Sequence, residues 1–312
     1  MKKLISIITP TFNEENNIEK IIFKIESIMN NHSQNYDYEH IVIDNNSLDK
    51  TPNILRKVAS KKKNLKVILN SKNFGQSRSP FYALLQSKGD AVITMAADFQ
   101  DPVELINDYI KKWEDGARVV LARNKKTHDG FFLGKLKKFY YEFINKISDV
   151  RVPMHVTGSG IYDKKIIEEY RKIKDPYPYH RGLIAEIEDE IEFLDFERPH
   201  RMEGKSKNNL FSLFNIGMMA IAKHSSVPLR FVIFLGFVSS FFSFVAALVY
   251  LIYKILYWNS FSVGIGPLVI GMFFFFSIII LIIGIIGEYI LLILTYSKNL
   301  PLVVEKERIN FD

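Results

Sequence analysis

Ala91-Val92-Ile93-Thr94-Met95-Ala96-Ala97-Asp98-Phe99-Gln100-Asp101-Pro102 runs from an unbroken apolar stretch into an acidic, turn-prone cluster. A buried strand that ends at the rim of an α/β sheet leaves such a boundary, and ligands of these sheets bind in the crevice beyond the strands' carboxyl ends. Asp98, with Gln100 two residues on, offers hard oxygen ligands suited to Mg²⁺ or Mn²⁺, metals that commonly carry a substrate's phosphates. A purely structural reading competes with this one, in which the Asp before Pro102 caps a helix that has the proline at its first position.

Outward from this stretch, up to about Arg123, short β-rich runs alternate with helical segments, the signature of βαβ units and a parallel sheet. The runs Leu4–Thr9, Glu39–Asp44, Leu65–Leu69, Ala91–Met95 and Arg118–Ala122 predict strands. Helices are predicted over Asn16–Met29, Lys50–Ser60, Gln76–Ser87 and Val103–Trp113. In the first of these, Ile18, Ile21, Ile22, Ile25 and Ile28 recur at helical spacing and read as core. The opening Met1-Lys2-Lys3 with its apolar run superficially resembles a signal peptide, but Pro10, Asn13, Glu14 and Glu15 break the run too early. It reads as the first strand.

From Gly130 to Pro199 the regularity loosens, apart from a basic helix predicted near Lys135–Lys146. Asp163 reads as the cap of a helix that follows it. Asn208–Lys223 reads as an amphipathic helix, suited to a membrane interface or to an ordinary core. Phe231–Tyr253 and Pro267–Gly287 are apolar, uncharged and of membrane-spanning length. Lys223 and Arg230 precede the first, and Lys298, Lys306 and Arg308 follow the second, so the positive-inside rule places both chain ends in the cytoplasm. Cys is absent, which excludes disulfides and thiolate metal sites. The net charge of +7 lies outside the apolar segments and suits anionic substrates or lipid. No nucleic-acid motif accompanies it.

Four segments should meet at the carboxyl edge of the sheet: Thr9–Asn16, Ile43–Thr51, Asn70–Gln76 and the Asp98 cluster. None has the glycine spacing of a P-loop or a dinucleotide fingerprint. An edge lined by Asp, Asn and Glu suits a nucleotide's base and ribose, with a metal taking the phosphates.

Several motifs now carry a resemblance. Pro10-Thr-Phe-Asn-Glu-Glu-Asn-Asn-Ile18, Ile43-Asp-Asn-Asn-Ser-Leu-Asp-Lys-Thr51, Asp98-Phe-Gln-Asp-Pro102 and Arg201-Met-Glu-Gly-Lys-Ser-Lys207 occur in this order. The chain resembles the polyprenyl-phosphate glycosyltransferases of glycosyltransferase family 2, a branch that includes the dolichyl-phosphate mannose synthases and bacterial undecaprenyl-phosphate glucosyltransferases. The resemblance implies an α/β GT-A fold with a Rossmann-like mixed sheet and two C-terminal transmembrane helices. By position it implies that Pro10, Phe12, Glu14, Asp44 and Ala97 hold the nucleotide and that Asp98 and Gln100 ligate Mg²⁺ or Mn²⁺. Asp98, Asp101 and Arg123 would serve catalysis, while Arg123, Arg181, Arg201 and Lys207 would meet phosphates. Two positions depart from the pattern. Ala96 stands where many relatives have an Asp, and Asn45 replaces the second Asp of the commoner Asp-Asp-Gly-Ser form. The bland alternatives are that Arg123 pairs with a surface acid and that Arg181 is a structural loop residue.

The implied organisation is a cytoplasmic catalytic domain over 1–206 and an interfacial helix over 207–226. Two spans follow within 227–297 (about 231–253 and 267–294), then a cytoplasmic tail over 298–312. The implied reaction is inverting transfer of one sugar to polyprenyl (undecaprenyl) phosphate, for cell-envelope or glycan modification. UDP-glucose is the favoured donor and a GDP-sugar is possible. The enzyme would be multi-pass in the plasma membrane, contact the lipid bilayer and form a homo-oligomer, a tetramer by resemblance. The alternative is transfer to a saccharide or glycolipid hydroxyl, which needs a base for the hydroxyl proton.

Overall fold

The computed structural model describes residues 2–125, 152–153, 155–197, 223, 225, 227–257 and 265–311. They fall into two compact units, described residues 2–125, 152–153, 155–197 and 299–311 in the first, and those from 223 to 298 in the second.

In the first unit β1 (Lys3–Thr11), β2 (Tyr36–Asp44), β3 (Leu65–Asn70), β4 (Ala91–Thr94), β5 (Val119–Asn124), β6 (Val156–Asp163), β7 (Ile191–Phe196) and β8 (Glu305–Ile309) form one sheet. Its order is β7-β5-β6-β4-β1-β2-β3-β8. Strands β1 to β4 are parallel. β6 runs antiparallel to both β4 and β5, which points β5 the same way as β4, and β7 is parallel to β5. Strand order reverses at β1, between β2 and β4, which opens the crevice where α/β sheets bind ligands.

Period-two alternation sends the side chains of one strand to opposite faces. Ile5, Ile7, Val42, Val67 and Ile93 pack on one face against α1 (Ile18–Asn31), α2 (Thr51–Ala59) and α4 (Leu105–Glu114). Ile8, Ile41, Ile43, Ile68 and Val92 pack on the other against α3 (Gly75–Leu85), α5 (Lys164–Lys172) and α6 (His180–Ile187). The isoleucine stripe of α1 is buried throughout. At about 1.5–3 kcal/mol for each large apolar side chain removed from water, these two layers hold the sheet edge in place.

Three expectations change. Helix α4 starts at Leu105 and not at Val103, because Leu105 N–H donates to the Pro102 carbonyl (3.2 Å) and Ile106 to Val103 (3.1 Å), tight turns that precede the regular helix. Its N-cap is Glu104, so the Asp before Pro102 does not cap it. The apparently loose region supplies β6, α5, α6 and β7; Asp163 does cap α5, accepting from Lys165 N–H. The segment read only as a tail after the spans carries a strand. Its β8 extends the sheet antiparallel to β3, Arg56 grips Glu307 (2.8–3.3 Å), and Asn310 Nδ2 donates to the carbonyls of Ala59, Lys62 and Leu65 (2.8–3.1 Å).

The second unit contains α7 (Val227–Leu256, 30 residues) and α8 (Ile265–Ser297, 33 residues). Both run past the limits read from the sequence. Among the described residues Phe274–Ser297 is long and apolar enough to cross a membrane, and Val227–Ser239 is a shorter apolar stretch. Phe234, Phe237, Phe244, Phe274 and Ile280 leave their side chains exposed. The predicted helices near 135–146 and 208–223 lie outside the described residues, apart from Lys223.

Candidate active site

Parallel pairing brings the ends of β1, β2 and β3 to one level, with Thr11 beside Asp44 and Asp44 beside Leu69. Thr94 pairs with Ile8, so the chain leaving β4 enters the same edge. The first three segments singled out from the sequence therefore meet the Asp98 cluster there.

The loops after β1 and β2 are stitched into one body. Asn13 N–H donates to Ser47 Oγ (2.8 Å), and Leu48 N–H donates to Asn13 Oδ1 (2.8 Å). Glu14 N–H donates to Thr51 Oγ1 (3.0 Å), Glu15 N–H to Asp49 Oδ2 (3.1 Å), and Lys50 N–H to Glu15 Oε2 (3.1 Å). Asn13 and Asn46 adopt left-handed backbone (φ 56° and 63°), a conformation asparagine tolerates. Pro10, Phe12 and Glu14 are half-buried on this body, and the Glu14 carboxylate accepts from Asn17 Nδ2 (2.8 Å).

Asp44 is 1 % exposed and accepts from Ser47 N–H (2.9 Å) and from the Ser47 hydroxyl. Burial pushes its carboxyl above the ordinary range, and the Ser47 hydrogen bonds only partly offset this. A buried carboxylate held by a turn, with no cation paired to it among the described residues, is disposed to take hydroxyl donors from a ligand.

Beyond β4, Met95 N–H still donates to Ile8 O (2.9 Å) before the chain turns away. Ala97 and Asp101 are buried, and Asp98 and Gln100 are half-buried. Gln100 N–H reaches Asp98 Oδ1 at 3.3 Å. Between them Phe99 has φ 55°, an outlier for a bulky side chain, while its ring packs on the core. No cluster of three His, Cys, Asp or Glu residues suited to a metal occurs among the described residues.

Arg123, near the end of β5, shares this edge but lies two strands from β4, about 10 Å in the hydrogen-bonding direction. Its guanidinium binds both Asp195 oxygens (2.6 and 3.2 Å) and stacks on Phe193. Asp195 raises the Arg123 pKa, and Arg123 in turn lowers that of Asp195. The bland alternative for Arg123, pairing with an acid, is therefore met in the structure. Arg181 sits in the first turn of α6 beside His180, whose Nε2 lies 2.7 Å from Tyr162 Oη. Burial, then Arg181, pushes His180 down to about 4, so its imidazole is neutral at pH 7. Arg201 and Lys207 lie outside the described residues.

Sequence reasoning missed Ser47, Thr51 and Asn13 as the stitches of this edge, and Asp195 as the partner of Arg123. The Asp44-to-Ser47 spacing, which favours a side-chain-closed turn, was the available signal for the first.

The family model "Glycosyl transferase family 2" matches residues 6–171. The chain is similar to the uncharacterized glycosyltransferase YkcC of Bacillus subtilis (strain 168), with 29% identity over 96% of this chain and 92% of that one. It is also similar to the bactoprenol glucosyl transferase of Shigella phage SfX, with 28% identity over 97% and 99%. Among solved structures, glucosyl-3-phosphoglycerate synthase from Mycobacterium tuberculosis, in complex with Mn²⁺, UDP and phosphoglyceric acid, superposes with a TM-score of 0.50. It shares 18% identity over 70% of this chain and 76% of that one, a likeness of fold.

Proposed function

Since the chain belongs to glycosyl transferase family 2 and is a glycosyltransferase, we propose that it moves one sugar from a nucleotide sugar to the phosphate of a membrane polyprenol. UDP-glucose is the favoured donor and the anomeric centre inverts. The observation that carries this reading is the convergence of the loops after β1 and β2 with the Asp98 cluster at one sheet edge. The similarity to a bactoprenol glucosyl transferase supports the acceptor.

The stitched β1 and β2 loops, with Pro10, Phe12, Glu14, Asp44 and Ala97, hold the nucleoside, and Asp44 takes ribose hydroxyls. Asp98 and Gln100 would hold Mg²⁺ or Mn²⁺. A single strand-end carboxylate fits an ion that takes most of its remaining ligands from phosphates and water, and does not fit a dedicated protein cage. Bound there, the ion supplies charge neutralisation for the departing diphosphate.

A lipid phosphate carries close to two negative charges near neutral pH, since its second pKa is about 6. It needs no base to attack the anomeric carbon, and in-line attack inverts that centre. The protein's task is to hold two anions together, which we assign to Arg181, Arg201 and Lys207, with Arg123 adding charge from its Asp195 pair.

The tail strand supports a two-span topology. β8 is hydrogen-bonded to β3, so a chain that enters the bilayer between the two strands must cross it an even number of times. Helices α7 and α8 then form a hairpin in the plasma membrane, with the catalytic unit and both ends in the cytoplasm.

The full-length protein in detergent, given radiolabelled UDP-glucose, other UDP-sugars or a GDP-sugar with undecaprenyl phosphate, should produce an organic-extractable, acid-labile lipid sugar. Labelling only of a saccharide acceptor would overturn the reading.

A further inference from the structure

Asn45 looked like a lost carboxylate in the sequence, yet its side chain is fully committed within the protein. It is 7 % exposed, and its backbone N–H donates to Thr11 O (3.0 Å). Oδ1 accepts from Phe74 N–H (2.8 Å) and from Asn70 Nδ2 (3.1 Å). Nδ2 donates to Asn73 Oδ1 (2.9 Å) and to Gly75 O (3.2 Å). Two of these partners are backbone groups that can act only one way, a donor at Phe74 and an acceptor at Gly75. They fix the orientation of the amide, and a carboxylate could not replace it.

The segment so held continues outward. Asn73 Oδ1 also accepts from Gly75 N–H (2.8 Å), and Gly75 carries φ 86°, which favours glycine. Lys72 Nζ and Arg78 Cζ each lie 5.2 Å from the centre of the Phe74 ring. Arg78 donates in turn to the carbonyls of Leu302 (2.9 Å) and Pro301 (2.6 Å). Asn45 therefore holds both ends of the loop beside Asp44, at Asn70 and at Phe74 and Gly75, while the loop's Ser71 N–H donates to Val304 O of the tail (2.9 Å).

We propose that Asn45 is a positioning residue of the donor pocket. Its amide clamps the Asn70–Gly75 loop against the end of β2, so that the loop forms a wall of the nucleotide site next to Asp44. This inference rests on the donor binding at this edge.

The test is UDP binding by calorimetry on the full-length protein, with donor KM and kcat measured beside it. Asn45→Asp sets carboxylate oxygen against Asn73 Oδ1 and Gly75 O, removing two hydrogen bonds. UDP affinity should fall roughly tenfold to a hundredfold, with donor KM rising and kcat at saturating donor retained, the pattern of lost uniform binding. Asn73→Ala, at an exposed position that leaves the core intact, should weaken UDP binding in the same sense by several-fold. If Asn45 instead faces the nucleotide, Asn45→Asp restores the commoner acid and tightens or preserves binding, and Asn73→Ala changes nothing; either result overturns the clamp. Should Asn45→Asp fail to fold, undiminished UDP affinity in Asn73→Ala overturns it alone. A wild type that binds no UDP refutes the donor assignment itself, a result distinct from any of these.

Discussion

Replacing Phe99 by glycine should leave the protein more stable than replacing it by alanine, the reverse of the usual order, and yet less active. Phe99 has φ 55° and packs its ring on the core between Asp98 and Gln100. Both substitutions lose the same ring contacts, so their difference isolates the backbone. Alanine must still adopt left-handed backbone at about 1–2 kcal/mol. Glycine avoids that cost but gives up about 0.5–1 kcal/mol of unfolded-state entropy. The balance favours glycine by about 1 kcal/mol, or roughly 2–4 °C in Tm for a domain of this size. Activity should run the other way, because a freed backbone no longer holds the Asp98 carboxylate and the Gln100 amide in one arrangement. Glycine should transfer sugar roughly tenfold more slowly than alanine, as small misplacements near reacting groups do. Thermal unfolding of the full-length protein in detergent, with initial rates of lipid-sugar formation, measures both. An alanine variant as stable as the glycine variant would refute the strain argument.

Asp98→Ala should abolish transfer while unfolding cooperatively like the wild type, and chelators should inhibit the native enzyme; full activity in the variant removes Asp98 from the site. Burial raises the Asp44 pKa above its ordinary 3.8, so its favourable contribution to folding is present at low pH and lost as pH rises through the raised value. Near neutral pH its charge is a cost to folding. Asp44→Asn should therefore be no less stable there yet bind UDP more weakly, and in the wild type kcat/KM for donor should fall as pH drops toward that raised value, above the range of a free carboxyl. Arg201→Ala should lower transfer to polyprenyl phosphate by roughly tenfold to a hundredfold, with only partial recovery in Arg201→Lys because the bidentate fork is lost; normal rates in both would move the phosphate site elsewhere. Cysteines placed at Lys2 and Asp312 of this cysteine-free chain should resist impermeant reagents added to intact cells, and labelling at 312 from outside would refute the two-span topology.

The α/β class, the strands β1 to β5 and the isoleucine face of α1 were legible in the sequence because each depends on local periodicity and on turn residues beside it. Asp44 and Asp98 were legible for a related reason: a carboxylate just past an apolar run has few places to lie except the strand's end. What lies between elements far apart in the chain was not. β8 is five charged and apolar residues after a long apolar helix, and only an open β3 edge makes it a strand. Arg123 meets Asp195 because β5 pairs with β7 in register, Arg123 against Asp195, and no spacing announces that pairing. Asn45 illustrates the division most sharply. The sequence by itself determined that an amide stands where an acid is common, but only the fold brought a backbone donor and a backbone acceptor to that amide. Hydrogen-bond partners are set by tertiary approach, whereas periodicity and turn chemistry are carried by neighbours in the chain.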